Sequence, residues 1–138
     1  MAKKVLIIST SLRGGSNSDI LAKECEKGAK EAGHEVEYIS LKGKDIKFCI
    51  GCWNCQTKGI WVLKEDVAEI MEKVLAAEVI VYATPIYYYE MSGQMKTLLD
   101  RLNPMYPMDY AFRDIYMIAT AAEEEESAFE KAYNGLQG

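Results

Sequence analysis

Four short apolar runs divide the chain: VLII (Val5–Ile8), VEYI (Val36–Ile39), VIVYA (Val79–Ala83) and IYMIA (Ile115–Ala119). The first, third and fourth are continuous, as in strands covered on both faces within a parallel sheet. The second alternates, as an edge strand does. Helical periodicity fills the intervals. Ser18 to Ala32 carries Leu21, Cys25, Ala29 and Ala32 at steps of three and four, and Gly33 can end the helix. Asp66 is placed to cap a stripe of Val67, Ile70, Met71, Val74 and Leu75. Ser92 can cap Met95, Leu98, Leu99 and Leu102, and Pro104 stops that helix. Glu123 to Gly138 predicts a last helix with Phe129, Ala132, Tyr133 and Leu136 inward and its glutamates at the favourable end of the dipole. The order βα, β, long connection, α, β, α, β, α predicts one doubly wound α/β domain over residues 1–138. Residues 42–65 are the long connection, and loops of that length in compact domains are usually functional.

Composition narrows the classes. The 138 residues carry a net charge of −5, which argues against nucleic acid and against an anionic membrane surface as partners. No apolar run approaches the ~18–20 residues of a membrane span. The opening MAKKVLIISTS has too short an apolar run for a secretory leader. These features predict a cytoplasmic protein with reduced thiols, so its four cysteines are metal ligands, redox groups or core fillers.

The turn after the first strand is STSLRGGSNSD (Ser9–Asp19). Ser9, Thr10, Ser11, Ser16 and Ser18 supply hydroxyls, Arg13 a cation, and a helix N-terminus follows. Such a turn presents backbone N–H groups to an anion. It lacks the Gly-Lys-Ser/Thr of a Walker loop and the Gly-x-Gly-x-x-Gly of a dinucleotide site. Hydroxyls without a lysine suit a phosphate monoester, as in FMN; a polar turn with an N-cap is the plain alternative. The third strand runs into ATPIYYYEMSGQMKTLLDR (Ala83–Arg101). Pro85 and three tyrosines then stand at the carboxyl edge of the sheet, where open α/β sheets bind ligands. They suit a planar ring, a packed loop or a subunit contact.

STSLRGGSNSDILA, CIGCWNC, TPIYYYEMSGQMKTLLDR and YAFRDIYMIATAAEEE together resemble the NADPH-dependent FMN reductases of the flavodoxin-like superfamily, in particular the branch with iron–sulfur flavoproteins. The resemblance implies a flavodoxin-like sheet, here shortened to four strands, with the family's fifth strand and last helix missing. It implies FMN as cofactor, NAD(P)H as co-substrate, and a homodimer or higher oligomer passing electrons to a quinone, free flavin or metal complex. An electron-transfer protein serving a protein partner is the alternative. The implied phosphate-loop residues are Ser9, Ser11, Arg13, Ser16, Asn17 and Ser18. Pro85, Ile86, Tyr87 and Tyr88 match the segment lining the ring, with Ser92 at the next helix start. Thr120, Ala121 and Ala122 match the third flavin-facing loop. No side chain is required as a catalytic acid or base, because the flavin carries the chemistry.

Cys49, Cys52 and Cys55 stand at a strict spacing in the long connection. In the iron–sulfur branch a fourth cysteine follows, at a spacing that lands on Trp61 here. Indole cannot replace a thiolate as cluster ligand. Three readings follow: a cluster with three cysteines and an outside ligand, a Cys52/Cys55 dithiol, or a loop that packs Phe48, Ile50, Trp53 and Trp61 with its thiols spare. Cys25, in the apolar stripe of the first helix, is expected in the core. His34 is the single histidine, so hydrolytic triads have no support.

Overall fold

The computed structural model describes residues 1–58 and 65–137. Strand β1 (Lys4–Ser9) is central, pairing in parallel with β2 (Glu35–Ser40) on one side and β3 (Val79–Tyr87) on the other. β3 also pairs in parallel with β5 (Asp114–Thr120), and a two-residue strand β4 (Glu90–Met91) folds back antiparallel on its end. The parallel order is therefore β2-β1-β3-β5, a flavodoxin-like arrangement.

The expectation of a four-stranded, shortened sheet without a last helix does not hold. Among the described residues the sheet has five strands, and helix α5 (Glu130–Gln137) follows β5. β4 was invisible to the apolar pattern because two residues cannot form a run. The fourth apolar run also differs from its expected setting. β5 is an edge, and Ile115 and Tyr116 are exposed.

The remaining helices are α1 (Asn17–Glu31), a single turn α2 (Asn54–Thr57), α3 (Val67–Ala76) and α4 (Gly93–Arg101). Side-chain alternation divides the core. Leu6, Ile8, Ile80 and Tyr82 point to one face and pack with Ile70, Val74, Met95, Leu98 and Ala132 of α3, α4 and α5. Val5, Ile7, Val81 and Ala83 point to the other and meet α1. The α1 stripe is Ser18, Ala22, Cys25 and Ala29 rather than one through Leu21, which is exposed. Small side chains let this helix lie close to the sheet. The last helix also starts later than its glutamates suggest: Glu123–Glu125 lie outside it, a 3-10 turn (Glu126–Phe129) precedes it, and Tyr133 faces outward.

The long connection is tied down by polar bonds. Asp66 does not cap α3 with its side chain; its carboxylate accepts the Asp45 N–H at 2.7 Å, while its own N–H donates to the Asp45 carbonyl at 3.0 Å. Arg101, at the end of α4, donates to the Lys47 carbonyl at 2.9 Å and forms an ion pair with Glu65. Both side chains of that pair are buried, at 4% and 1% exposure. Removing Arg101 leaves the buried Glu65 carboxylate facing only the more distant Lys47 Nζ, at 4.0 Å, among the described ion pairs. Arg101→Met is expected to lower stability by about 3–5 kcal/mol. Urea midpoints check this, and Arg101→Met/Glu65→Leu should recover most of the loss.

Candidate functional site

The parallel strands β1, β3 and β5 end at one edge of the sheet, so their following loops converge there. Buried hydroxyls join two of these loops. The Thr10 N–H and Oγ1 both donate to the Ala83 carbonyl, at 2.9 and 2.8 Å. Thr10 Oγ1 lies 3.2 Å from Ser92 Oγ, and the Ser92 N–H donates to Thr84 Oγ1 at 3.0 Å. Ser92 also caps α4 by accepting from the Met95 N–H at 3.3 Å. This is the N-cap role expected of it. The sequence offers Thr10 as one hydroxyl of the turn and gives Thr84 no role, although a hydroxyl ending an apolar run is a visible signal for a buried strand-end contact.

The first loop has an internal scaffold. Ser11 Oγ accepts the Arg13 N–H at 3.3 Å, and Ser16 Oγ caps α1 by accepting the Asp19 N–H at 3.3 Å. Gly15 lies at φ +71°, a left-handed conformation that costs glycine little. Its N–H donates to Asp19 Oδ2 at 3.3 Å. Asp19 Oδ1 accepts from Ser9 Oγ at 3.0 Å and from the Tyr38 hydroxyl. Partial burial works against the Asp19 carboxylate, but bonds from Tyr38, Ser9 and Gly15 and the nearby Lys23 outweigh it and hold its pKa below the ordinary value. Burial first, and the Asp19 bond next, push Tyr38 up to about 12, so it remains a hydroxyl donor.

A cavity of about 320 Å³ opens where the three loops meet. Ser11, Arg13, Ser16 and Asn17 line it from the first loop. Pro85, Ile86 and Tyr87 form a second wall, and Thr120, Ala121 and Ala122 a third. Four expected site residues lie elsewhere. Ser9, Ser18 and Ser92 are buried behind the lining. Tyr88 stands at the tip of the β3–β4 hairpin, 96% exposed.

The donor set fits FMN. Arg13 supplies positive charge, Ser11 and Ser16 are among the lining residues, and amides at the start of α1 need partners from outside the helix. Pro85 to Tyr87 and the small Ala121 and Ala122 leave room for a flat ring.

The cysteines are free thiols in a different place. Cys49 and Cys52 are exposed, and Cys55 lies on α2, where its sulfur accepts from Asn103 Nδ2 at 3.5 Å. Among the described residues, no three His, Cys, Asp or Glu side chains gather as a metal-ligand set. Cys49, Cys52 and Cys55 are not gathered into such a set among the described residues. Trp61 lies outside the described residues. Cys25 packs half-buried against the α1 side of the core.

Residues 3–130 match the family model described as NADPH-dependent FMN reductase. The chain belongs to the NADPH-dependent FMN reductase family. An iron–sulfur flavoprotein of Methanocaldococcus jannaschii is 38% identical over 102 residues, covering 74% of this chain and 53% of that protein. One from Methanosarcina thermophila is 33% identical over 98 residues, covering 71% of this chain and 51% of its own. The chain thus spans about half the length of these curated relatives. Among solved structures, an NAD(P)H:quinone oxidoreductase from Methanothermobacter marburgensis superposes with a TM-score of 0.76 at 18% identity, covering 99% of this chain and 72% of that one. That likeness is one of fold.

Within this family fold, the β3–β4 hairpin carries backbone strain. Tyr88 (φ 52°) and Tyr89 (φ 61°) form its two-residue tip, both left-handed, where Asn-Gly is the favoured pair. Such strain persists where the surroundings impose it, often beside ligands. Here the tip follows directly on Tyr87 of the cavity wall. Tyr88→Asn/Tyr89→Gly is expected to raise stability by about 1–2 kcal/mol in thermal unfolding.

Proposed function

We propose that this chain is an FMN-dependent NAD(P)H oxidoreductase that delivers electrons to a small acceptor such as a quinone, a free flavin or a metal complex. The observation that carries this reading is a cavity lined by all three loops at the carboxyl edge of β1, β3 and β5. When bound, FMN supplies the hydride-accepting and electron-donating chemistry. Arg13, the Ser11 and Ser16 hydroxyls and the α1 N-terminus hold the phosphate end. Pro85, Ile86 and Tyr87 orient the ring from one side. The small side chains of Ala121 and Ala122 would leave room beside the ring. Ser9, Ser18 and Ser92 would support the site from behind: Ser18 Oγ lies 3.4 Å from Ser16 Oγ of the lining, Ser9 bonds Asp19, and Ser92 caps α4.

A second reading is electron transfer to a protein partner without a nicotinamide reaction. The exposed Phe48, Ile50 and Trp53 around the cysteines favour it, because such aromatic surface suits a protein contact. Adding NADPH anaerobically to flavin-loaded protein separates the two. Bleaching of the flavin's visible band on the timescale of turnover is expected. A band that stays oxidised rejects the reductase and favours the second reading.

The same proposal places the protein in the cytoplasm as a homodimer. No helix among the described residues is long and apolar enough to cross a membrane. The exposed Tyr87, Tyr88 and Tyr89 are contact residues of the kind interfaces use. Sedimentation equilibrium should give twice the chain mass, and Tyr88→Asp should shift it toward the monomer; a wild-type monomer rejects the dimer.

A further inference from the structure

Asp19 is an acidic side chain built into a loop read above as a phosphate site. A carboxylate beside an anion site is electrostatically unfavourable unless the loop needs it for something else. Its hydrogen bonds identify that need. Oδ2 takes the N–H of Gly15, at the left-handed turn of the loop. Oδ1 takes the hydroxyls of Ser9, at the end of β1, and of Tyr38, on β2. One carboxylate thereby ties the loop's turn to two neighbouring strands. Tyr38 is itself held, with Lys23 Nζ 3.8 Å from its ring centre. Lys23 also sets a positive charge near Asp19, which offsets part of the repulsion toward an anion. Neither Asp19 nor Tyr38 lines the cavity, so neither is a ligand residue.

We infer that Asp19 and Tyr38 are positioning residues that hold the first loop in its phosphate-binding shape and so set the preference for FMN over riboflavin. The inference rests on the flavin reading of the cavity. The two flavins share the ring and differ in the phosphate, so a loop-positioning role must act on one and spare the other.

The test is titration of the flavin-freed full-length protein with FMN and with riboflavin, followed by quenching of flavin fluorescence. In Tyr38→Phe, which removes one hydroxyl, FMN affinity is expected to fall about tenfold while riboflavin affinity stays within about twofold. Asp19→Asn gives an opposed pair of outcomes. Simple charge repulsion would tighten FMN binding, whereas loss of the strut weakens it. FMN affinity unchanged in either variant, tightened in Asp19→Asn, or lowered equally with that of riboflavin overturns the inference. Wild-type protein that takes up neither flavin overturns the flavin reading and the inference together. Wild-type protein that binds FMN as tightly as Tyr38→Phe does overturns the inference alone.

Discussion

Thr10 stands one residue beyond β1, and both of its donors reach the Ala83 carbonyl on β3. That double bond across the strand ends keeps β1 and β3 in step at the edge where their loops diverge. From the same hydroxyl the chain of contacts passes to Ser92 and Thr84, which fixes the start of α4. The cavity depends on this register. If β1 slipped by one residue against β3, alternation would turn its side chains to the wrong face. The loop carrying Arg13 would then move away from the wall carrying Pro85.

The layers around the sheet are unequal. One face is covered by α3, α4 and α5, the other by α1. The long connection is stitched to the more heavily covered side by Arg101, Glu65 and the Asp45–Asp66 pair. A buried ion pair is a costly way to anchor a loop compared with apolar packing. It does impose one geometry on the segment leading into Cys49, Cys52 and Cys55, the last of which lies on α2 and accepts from Asn103 of the 3-10 turn Asn103–Met105. The cavity and the cysteine loop are thus held by separate devices, hydroxyls for the first and a buried charge pair for the second.

Much of this was legible along the chain. The apolar runs located all four parallel strands, because each is a continuous local signal. The caps at Ser92 and the stripe of α3 were legible for the same reason. The hydroxyl-rich turn pointed to an anion site because strand, turn and helix N-terminus are consecutive in sequence. The stripe of α1 was misread by one step at Leu21, since periodicity alone does not say that small residues face the sheet. The two-residue β4 escaped because its pairing comes from the Tyr88–Tyr89 turn and not from hydrophobicity.

By itself, the sequence determined the parallel α/β class and the order of the four parallel strands and four longer helices, because these follow from local periodicity; the resemblance to the FMN reductases, not periodicity, pointed to residues of the three loops. Only the tertiary structure decided what supports those residues. Thr10 meets Ala83 across 73 positions and Tyr38 meets Asp19 across 19. Such pairings arise when strands distant in sequence become neighbours in the sheet, and no local pattern encodes them. The same reason separates lining from support. Ser9, Ser11 and Ser16 look equivalent in the string, yet Ser9 ends β1 and bonds Asp19 behind the loop, while Ser11 and Ser16 are among the residues lining the cavity.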